Sequence, residues 1–554
     1  MTGAEALARM LGDYGVTHFF MVPAVLRTTM AEIERHTGIR RIHAHGEKAA
    51  AYMADGYARA CGRPGVCGAQ VVGALNLAAG LRDAYLAHSP VIALTGGRDP
   101  LTKFRGVYQE VDDVPAFEPV TKLNATVDAV TRIPDMVRQA FRVTVSGCPG
   151  PVHLQFRGNE AQLDADEAEL DPYVEDAFAR VPPYRVQPEE GPLRQALALL
   201  EAAERPVLVA GGGVRWSGAG AELIALAERL AIPVATSLNG KDAIPGGHPL
   251  SVGVVGAYSR ESANLAVSQA DLVCFVGTSA GGMTTHSWRV PAPGTPAIQI
   301  DISPENIGRN YPLSVAVLSD AKAALARMAA LASPRSAGRR QPWLDQVAGL
   351  ARDWREKYRP ALTSSQVPIR PERICHELSQ HVPGDAIVVA DTGHGGMWMG
   401  GMFDVALGQS YIRSAGHLGW AFPASLGAKC ACPERPVVTF TGDAGLWYHV
   451  GDLETAVRCG ISTVTVVNNN RSGNQSKRGF DRVYGGQQTD LAREMWMFTE
   501  VDFARLAESI GATGIRVERP EALGPALRRA LDTPGPVVID VVTDVDAIAP
   551  DPVG

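Results

Sequence analysis

The feature that constrains this chain most is a rhythm: short apolar runs of strand length end in glycine or polar turns and give way to longer amphipathic stretches, almost from end to end. That alternation is the pattern of parallel sheets covered by helices, so it predicts an α/β fold. Helical spacing over Ala4 to Tyr14 precedes a strand at His18 to Val22, a helix at Lys48 to Arg59 and a buried strand at Pro90 to Thr95. Further on, Arg205 to Gly213 reads as a strand running into a glycine turn, with strands again at Asp271 to Gly277 and Ile298 to Asp301. A chain of 554 residues exceeds what one core usually holds. Two stretches break the rhythm, the Pro- and acid-rich Asp164 to Glu190 and the small, basic Ser333 to Arg340, and both read as exposed joins. Three doubly wound parallel-sheet domains are therefore expected, at residues 1–180, 188–332 and 360–550.

Charge excludes some partners. A net charge of -7 without a long basic run leaves no electrostatic footprint for nucleic acid or an anionic membrane. Met1 to Leu7 carries Glu5 where a secretory signal needs positive charge, and the apolar runs are too short to span a bilayer, so a cytoplasmic protein is expected. The eight cysteines are scattered without metal-ligand spacing and read as reduced core thiols. Small-molecule chemistry remains.

The most informative segment runs from Pro436 to Leu446, a strand that stops at Gly442-Asp443-Ala444-Gly445 before a helical stretch. A later strand, Thr463 to Val467, ends in Asn468-Asn469-Asn470. In a parallel sheet both ends fall on the carboxyl edge, where ligands of open α/β sheets bind. One carboxylate, one amide oxygen and a backbone carbonyl make a poor cage by themselves. They suit a magnesium ion that takes its other oxygens from a diphosphate and water. The glycines leave backbone N–H groups free to approach phosphate. Each piece alone is an ordinary turn or strand end; the order strand, turn, helix, strand, Asn in one stretch favours metal and diphosphate.

These residues resemble the thiamine-diphosphate family of acetolactate synthases, pyruvate and benzoylformate decarboxylases and oxalyl-CoA decarboxylase, and the likeness covers nearly the whole chain. It implies pyrimidine-binding, central and diphosphate-binding domains in that order. It also implies that Asp443, the Asn470 side chain and the Ser472 carbonyl hold Mg2+, with Ala444 where the family usually has glycine. His45-Gly46-Glu47 and the stretch to Arg59 resemble the family's glutamate-bearing strand end. No ordinary side chain is basic enough to deprotonate thiamine directly, so a carboxyl group, here Glu47, hydrogen-bonds the aminopyrimidine and lets the cofactor serve as its own base. Without the motif, Glu47 reads as a carboxylate at a helix start. Leu418 falls at the position of the wedge beneath the bent cofactor, and the Gly416 carbonyl would accept the pyrimidine amino group. Gly393, His394 and Gly395 resemble the other diphosphate loop, with His394 a donor to phosphate. Because the family's glutamate domain faces another subunit's metal domain, the likeness implies a homodimer or homotetramer.

Departures bear on substrate. The family's Gly-Pro-Gly turn reads Val71-Val72-Gly73 here, with Asn76 retained. Tyr108-Gln109-Glu110 resembles a segment of acetolactate synthases whose glutamine, here Gln109, lines the reaction site. Arg157-Gly158-Asn159 replaces the Pro-Lys-Asp of those enzymes, and Gly277 to Trp288 replaces their flavin motif, which makes FAD doubtful in the central domain. Asn474, Gln475, Phe480, His417 and Tyr108 are further pocket candidates. The leading expectation is a carboligase that decarboxylates a small 2-oxo acid and adds the acyl-anion equivalent to a second carbonyl. Decarboxylation without ligation is the alternative. A non-catalytic nucleotide-binding protein is disfavoured by Glu47, and a nicotinamide oxidoreductase by the lack of a full Gly-x-Gly-x-x-Gly fingerprint at Gly211-Gly212-Gly213.

Overall fold

The computed structural model describes residues 1–333 and 338–550. The alternation resolves into three six-stranded sheets in which every strand pair is parallel. The first holds β1 (His18–Met21), β2 (Arg40–His43), β3 (Gly65–Ala69), β4 (Val91–Gly96), β5 (Leu123–Val127) and β6 (Val152–Phe156) in the order β2-β1-β3-β4-β6-β5. The second holds β7 (Pro206–Ala210), β8 (Val234–Thr236), β9 (Ser251–Val254), β10 (Leu272–Val276), β11 (Ala297–Asp301) and β12 (Val315–Leu318), ordered β12-β11-β10-β7-β8-β9. The third holds β13 (Ile387–Ala390), β14 (Ser410–Arg413), β15 (Val437–Gly442), β16 (Val464–Asn469), β17 (Thr513–Val517) and β18 (Val537–Val542), ordered β14-β13-β15-β16-β18-β17. The outer two sheets thus share one winding, and the middle one has the order of dinucleotide-binding sheets. Helix after strand crosses over to cover both faces, so strands such as β3, β4, β6, β7 and β10 are buried at every residue.

The first and third domains are joined by two helices laid backbone to backbone. Glu47–Cys61 is rich in alanine and packs on Ala421–Ala431. At their crossing a Cβ on Gly56 would lie 2.0 Å from the Ala424 carbonyl, and one on Gly427 would lie 1.8 Å from the Met53 carbonyl. Only glycine allows that approach. A single apolar cluster runs through the contact, taking Ala50, Met53 and Leu77 from one domain and Phe422, Leu426 and Leu453 from the other.

The first expected join is largely exposed, as its composition implies, but anchored at its start. There Asp164 is buried and accepts the Thr29 N–H at 2.9 Å and hydroxyl at 2.8 Å, and Glu167 bridges Thr2. In the second, residues 334–337 lie outside the described residues. Arg340, expected at the surface, is instead fully buried, its guanidinium donating to the carbonyls of Leu200, Ala203 and Leu230. Three helix-end carbonyls capture it because they have no intrahelical partner. All eight cysteines are free thiols, but only Cys67, Cys274, Cys375 and Cys430 are buried. Among the described residues no helix is long and apolar enough to cross a membrane.

If the glycine crossing holds the two domains together, Gly427→Ala should act as overpacking with rigid backbone as the obstacle, costing about 1–3 kcal/mol or more. Thermal unfolding of the variant should begin earlier than in the parent; an unchanged transition would contradict the contact.

Candidate active site

The carboxyl edge of the third sheet gathers four loops. Asp443 opens the short helix Asp443–Trp447 after β15 and is 2% exposed. Its two oxygens accept the N–H groups of Ala444 (2.9 Å) and Ser472 (3.0 Å). Asn470, at the end of β16, turns its Oδ1 toward the same Ser472, accepting its N–H at 3.2 Å and its hydroxyl at 2.9 Å. Asp443, Asn470 and Ser472 are thus brought together in a buried cluster. Among the described residues no Lys, Arg or His pairs with Asp443, and burial raises its carboxyl to about 7. A carboxylate left this deep without positive charge suits a cation that arrives with a ligand. No group of three or more His, Cys, Asp or Glu among the described residues could hold a metal by itself, so a cation at Asp443 must take further oxygens from elsewhere.

Ala444 strains nothing, because it follows Asp443 in helical backbone and its N–H caps the carboxylate. The glycine that matters is Gly445, where a Cβ would sit 2.5 Å from the Thr441 hydroxyl and 2.6 Å from the Asp391 carboxylate. Asp391 is the node of these loops and escaped the sequence reading as such. Fully buried, it accepts N–H bonds from Thr392 (2.8 Å) and Gly419 (3.1 and 3.2 Å) and the Thr441 hydroxyl at 2.9 Å. It ties the Gly393 loop, the Leu418 turn and the Gly442 turn into one wall, and burial pushes its carboxyl up to about 6. The only sequence signal is an acid at a strand end before glycine.

His394 is buried beside this wall. Its Nδ1 is 2.5 Å from Asn474 Oδ1, while the Asn474 amide nitrogen is spent on the carbonyls of Val545 (2.8 Å) and Ala547 (3.3 Å). Nδ1 therefore carries the hydrogen, and Nε2, buried and without a partner, is an acceptor in the neutral ring. Donation to phosphate from Nε2 requires the ring to be protonated, and burial lowers its pKa. The same bonds hold Asn474 buried beside His394. Gly393 has φ +67°, a left-handed backbone that glycine supplies without strain. Leu418 is half-buried rather than a core residue, and Gly416 beside it is exposed.

The second cluster lies on the first sheet's carboxyl edge. Glu47 begins the helix after β2, and Asn76 donates to its carboxylate at 3.2 Å. A Cβ on Gly73 would lie 2.3 Å from a Glu47 oxygen, so glycine at the end of the Val71–Gly73 turn makes room for that carboxylate. Gln109, in left-handed backbone (φ +63°), accepts from the Gln70 amide at 3.1 Å. Tyr108 is largely exposed. Among the described residues no hydrogen bond or ion pair joins the Glu47 cluster to the Asp443 cluster. Exposed apolar side chains lie close to both in the chain or by backbone pairing: Val72 (58%) and Leu75 (50%) flank Gly73 and Asn76, Trp447 ends the helix that Asp443 opens, and Met497 bridges Ser472.

A third opening lies at the strand-order switch of the middle sheet, between β7 and β10, where ligands of such sheets sit. It is a partly open cleft bounded by Gly212, Gly213, Thr278, Asp301, Asn306 and Tyr184 among others, and among the described residues no Lys or Arg lines it.

Three family models match in chain order: the thiamine pyrophosphate enzyme N-terminal TPP binding domain over residues 1–116, the central domain over 193–328 and the C-terminal TPP binding domain over 391–541. A probable acetolactate synthase large subunit of Methanocaldococcus jannaschii is 32% identical over 98% of this chain and 92% of its own length. The chain belongs to the thiamine pyrophosphate enzyme family. The isozyme 3 acetolactate synthase large subunit of Escherichia coli is 31% identical over 96% of this chain and 92% of its own. A glyoxylate carboligase of the same species is 31% identical over 98% and 93%. This family member is therefore a thiamine-diphosphate-dependent enzyme acting on carbon–carbon bonds, of acetolactate synthase type, and the likeness favours carboligation over plain decarboxylation.

The Gly73 contact yields a test. In Gly73→Ala the new methyl group must displace the Glu47 carboxylate, so turnover should fall at least tenfold while cofactor affinity changes little. Turnover near the parent value would show that Glu47 has no need of that space.

Proposed function

We propose that this enzyme decarboxylates a small 2-oxo acid and joins the acyl unit to a second carbonyl compound, at sites formed between two copies in a homodimer or a pair of dimers. The observation that carries the reading is Glu47, half-exposed at a helix start, steadied by Asn76 and given room by Gly73. A carboxyl group placed in this way serves proton chemistry, which a protein that merely binds nucleotide does not need. The exposed apolar side chains near both clusters support two copies: each cluster is one half of a site, and closing one half on another buries Val72, Leu75, Trp447 and Met497.

Bound thiamine diphosphate supplies the electron sink that accepts the pair released with carbon dioxide. Glu47 holds and returns a proton at the aminopyrimidine. The Gly416 carbonyl would accept a hydrogen bond from the pyrimidine amino group, and the Leu418 side chain would support the cofactor from below. Asp443, Asn470 and the Ser472 carbonyl hold Mg2+, whose charge answers the buried carboxylate, and the backbone of Gly442 to Gly445 and Gly393 to Gly395 faces the diphosphate, with His394 beside it. Gln109 lines the substrate side. FAD is not part of the proposed reaction.

Two measurements test this. Incubation with pyruvate, alone and with acceptor 2-oxo acids or aldehydes, should yield the ligated hydroxyketone or hydroxy acid; release of free aldehyde alone, whatever the acceptor, would sink ligation. Glu47→Gln should retain cofactor and lose turnover by about two orders of magnitude, whereas Asp443→Asn should lose Mg2+-dependent cofactor binding itself.

A further inference from the structure

Asp83 sits in the helix Ala74–Leu86 of the first domain, 1% exposed, yet among the described residues every hydrogen-bond partner of its carboxylate except Arg59 belongs to the third domain of the same chain. Its Oδ1 accepts the Ala415 N–H at 2.8 Å and the Arg59 guanidinium at 2.8 Å. Its Oδ2 accepts the N–H groups of Gly416 and His417, each at 3.1 Å, and lies 3.0 Å from the Ser414 hydroxyl. Three successive backbone N–H groups converging on one side chain form an anion-holding nest, occupied here by the protein's own carboxyl group.

Arg59 is itself immobilised. It donates to Asp55 at 2.7 Å and to the Arg413 carbonyl at 2.6 Å, and its guanidinium lies 4.4 Å from the centre of the Trp420 ring, whose Nε1 donates to Asp55 at 2.8 Å. The turn from Ser414 to Gly419 therefore hangs between two buried carboxylates, Asp83 on residues 415–417 and Asp391 on residue 419. Leu418 lies between the two anchors.

We infer that Asp83 is a positioning residue for the reaction: it sets where the Gly416 carbonyl and the Leu418 side chain meet the aminopyrimidine end of the cofactor. The inference rests on the roles proposed above for Gly416 and Leu418. It gives the first domain two tasks in two sites, Glu47 serving a neighbouring copy while Asp83 shapes the half-site presented by its own chain.

The experiment compares Asp83→Asn, Ser414→Ala and Leu418→Ala as cofactor-loaded enzymes. Each is read by kcat, by KM for the 2-oxo acid, by cofactor affinity and by the near-ultraviolet circular dichroism of the bound cofactor. Asp83→Asn keeps the size of the side chain but turns one acceptor into a donor facing N–H groups. It should lower kcat at least tenfold and weaken the dichroism, while KM and cofactor affinity stay within about threefold because the diphosphate end is untouched. Ser414→Ala should move kcat and the dichroism the same way, by two- to fivefold. Unchanged kcat per bound cofactor and unchanged dichroism in Asp83→Asn overturn the inference, whatever happens to stability. If Asp83→Asn fails to fold or load, Ser414→Ala decides on the same two readouts. Leu418→Ala separates the premises: no effect there refutes the role of the turn, whereas a loss there beside a normal Asp83→Asn refutes only the role of Asp83.

Discussion

Everything in this molecule is referred to the crossing of Glu47–Cys61 with Ala421–Ala431. Backbone contact at Gly56 and Gly427 leaves no layer of side chains that could slide or repack, so the two outer sheets behave as one body. Both helices open directly out of loops proposed to touch the cofactor, Glu47 at the start of one and the Leu418 turn just ahead of the other. The crossing thus fixes chemistry and architecture together. Close to it runs the buried set Asp55, Arg59, Asp83 and Trp420, in which each charge has an opposite partner and several hydrogen bonds, the condition under which buried ions are tolerated.

The carboxylates divide by their company. Asp83 and Asp391 are satisfied by the protein's own donors and hold loops in place. Asp443 receives only backbone N–H groups and has no cation of its own among the described residues, which leaves its charge available to a ligand. Glu47, the acid proposed to carry the proton, is only half-buried and held by a single amide, Asn76. Four acids of one chemical type take three kinds of work from differences in burial and partners.

Much of the fold was legible because it is written in local periodicity. Strands and crossover helices announce themselves by apolar runs and turns, and the observed ends differ from the expected ones by a residue or two, as at His18–Met21 and Glu47–Cys61. The meeting of Asp443 and Asn470 was legible for a related reason, since parallel strands deliver their following loops to one edge, whereas Ser472 was named only through the family resemblance. What escaped depends on partners remote in the chain. Asp83 meets residues more than 330 positions away, and Arg340 is buried because carbonyls near residues 200 and 230 capture it. Nothing in the neighbouring sequence reports that. Gly445 rather than Ala444 carries the steric constraint in the metal turn, a distinction that needs the position of Asp391.

The helix crossing is also symmetric in its details. Gly56 faces Ala424 and Gly427 faces Met53, so a rotation that exchanges Gly56 with Gly427 exchanges Met53 with Ala424. The outer sheets obey the same exchange, since both are wound in one strand order and each helix follows the second strand of its sheet. Carried back along the two helices, the equivalence superposes Glu47 on Leu418. The same place in the winding is therefore filled twice with different chemistry: an acid, Glu47, in the first domain and a hydrocarbon side chain, Leu418, in the third.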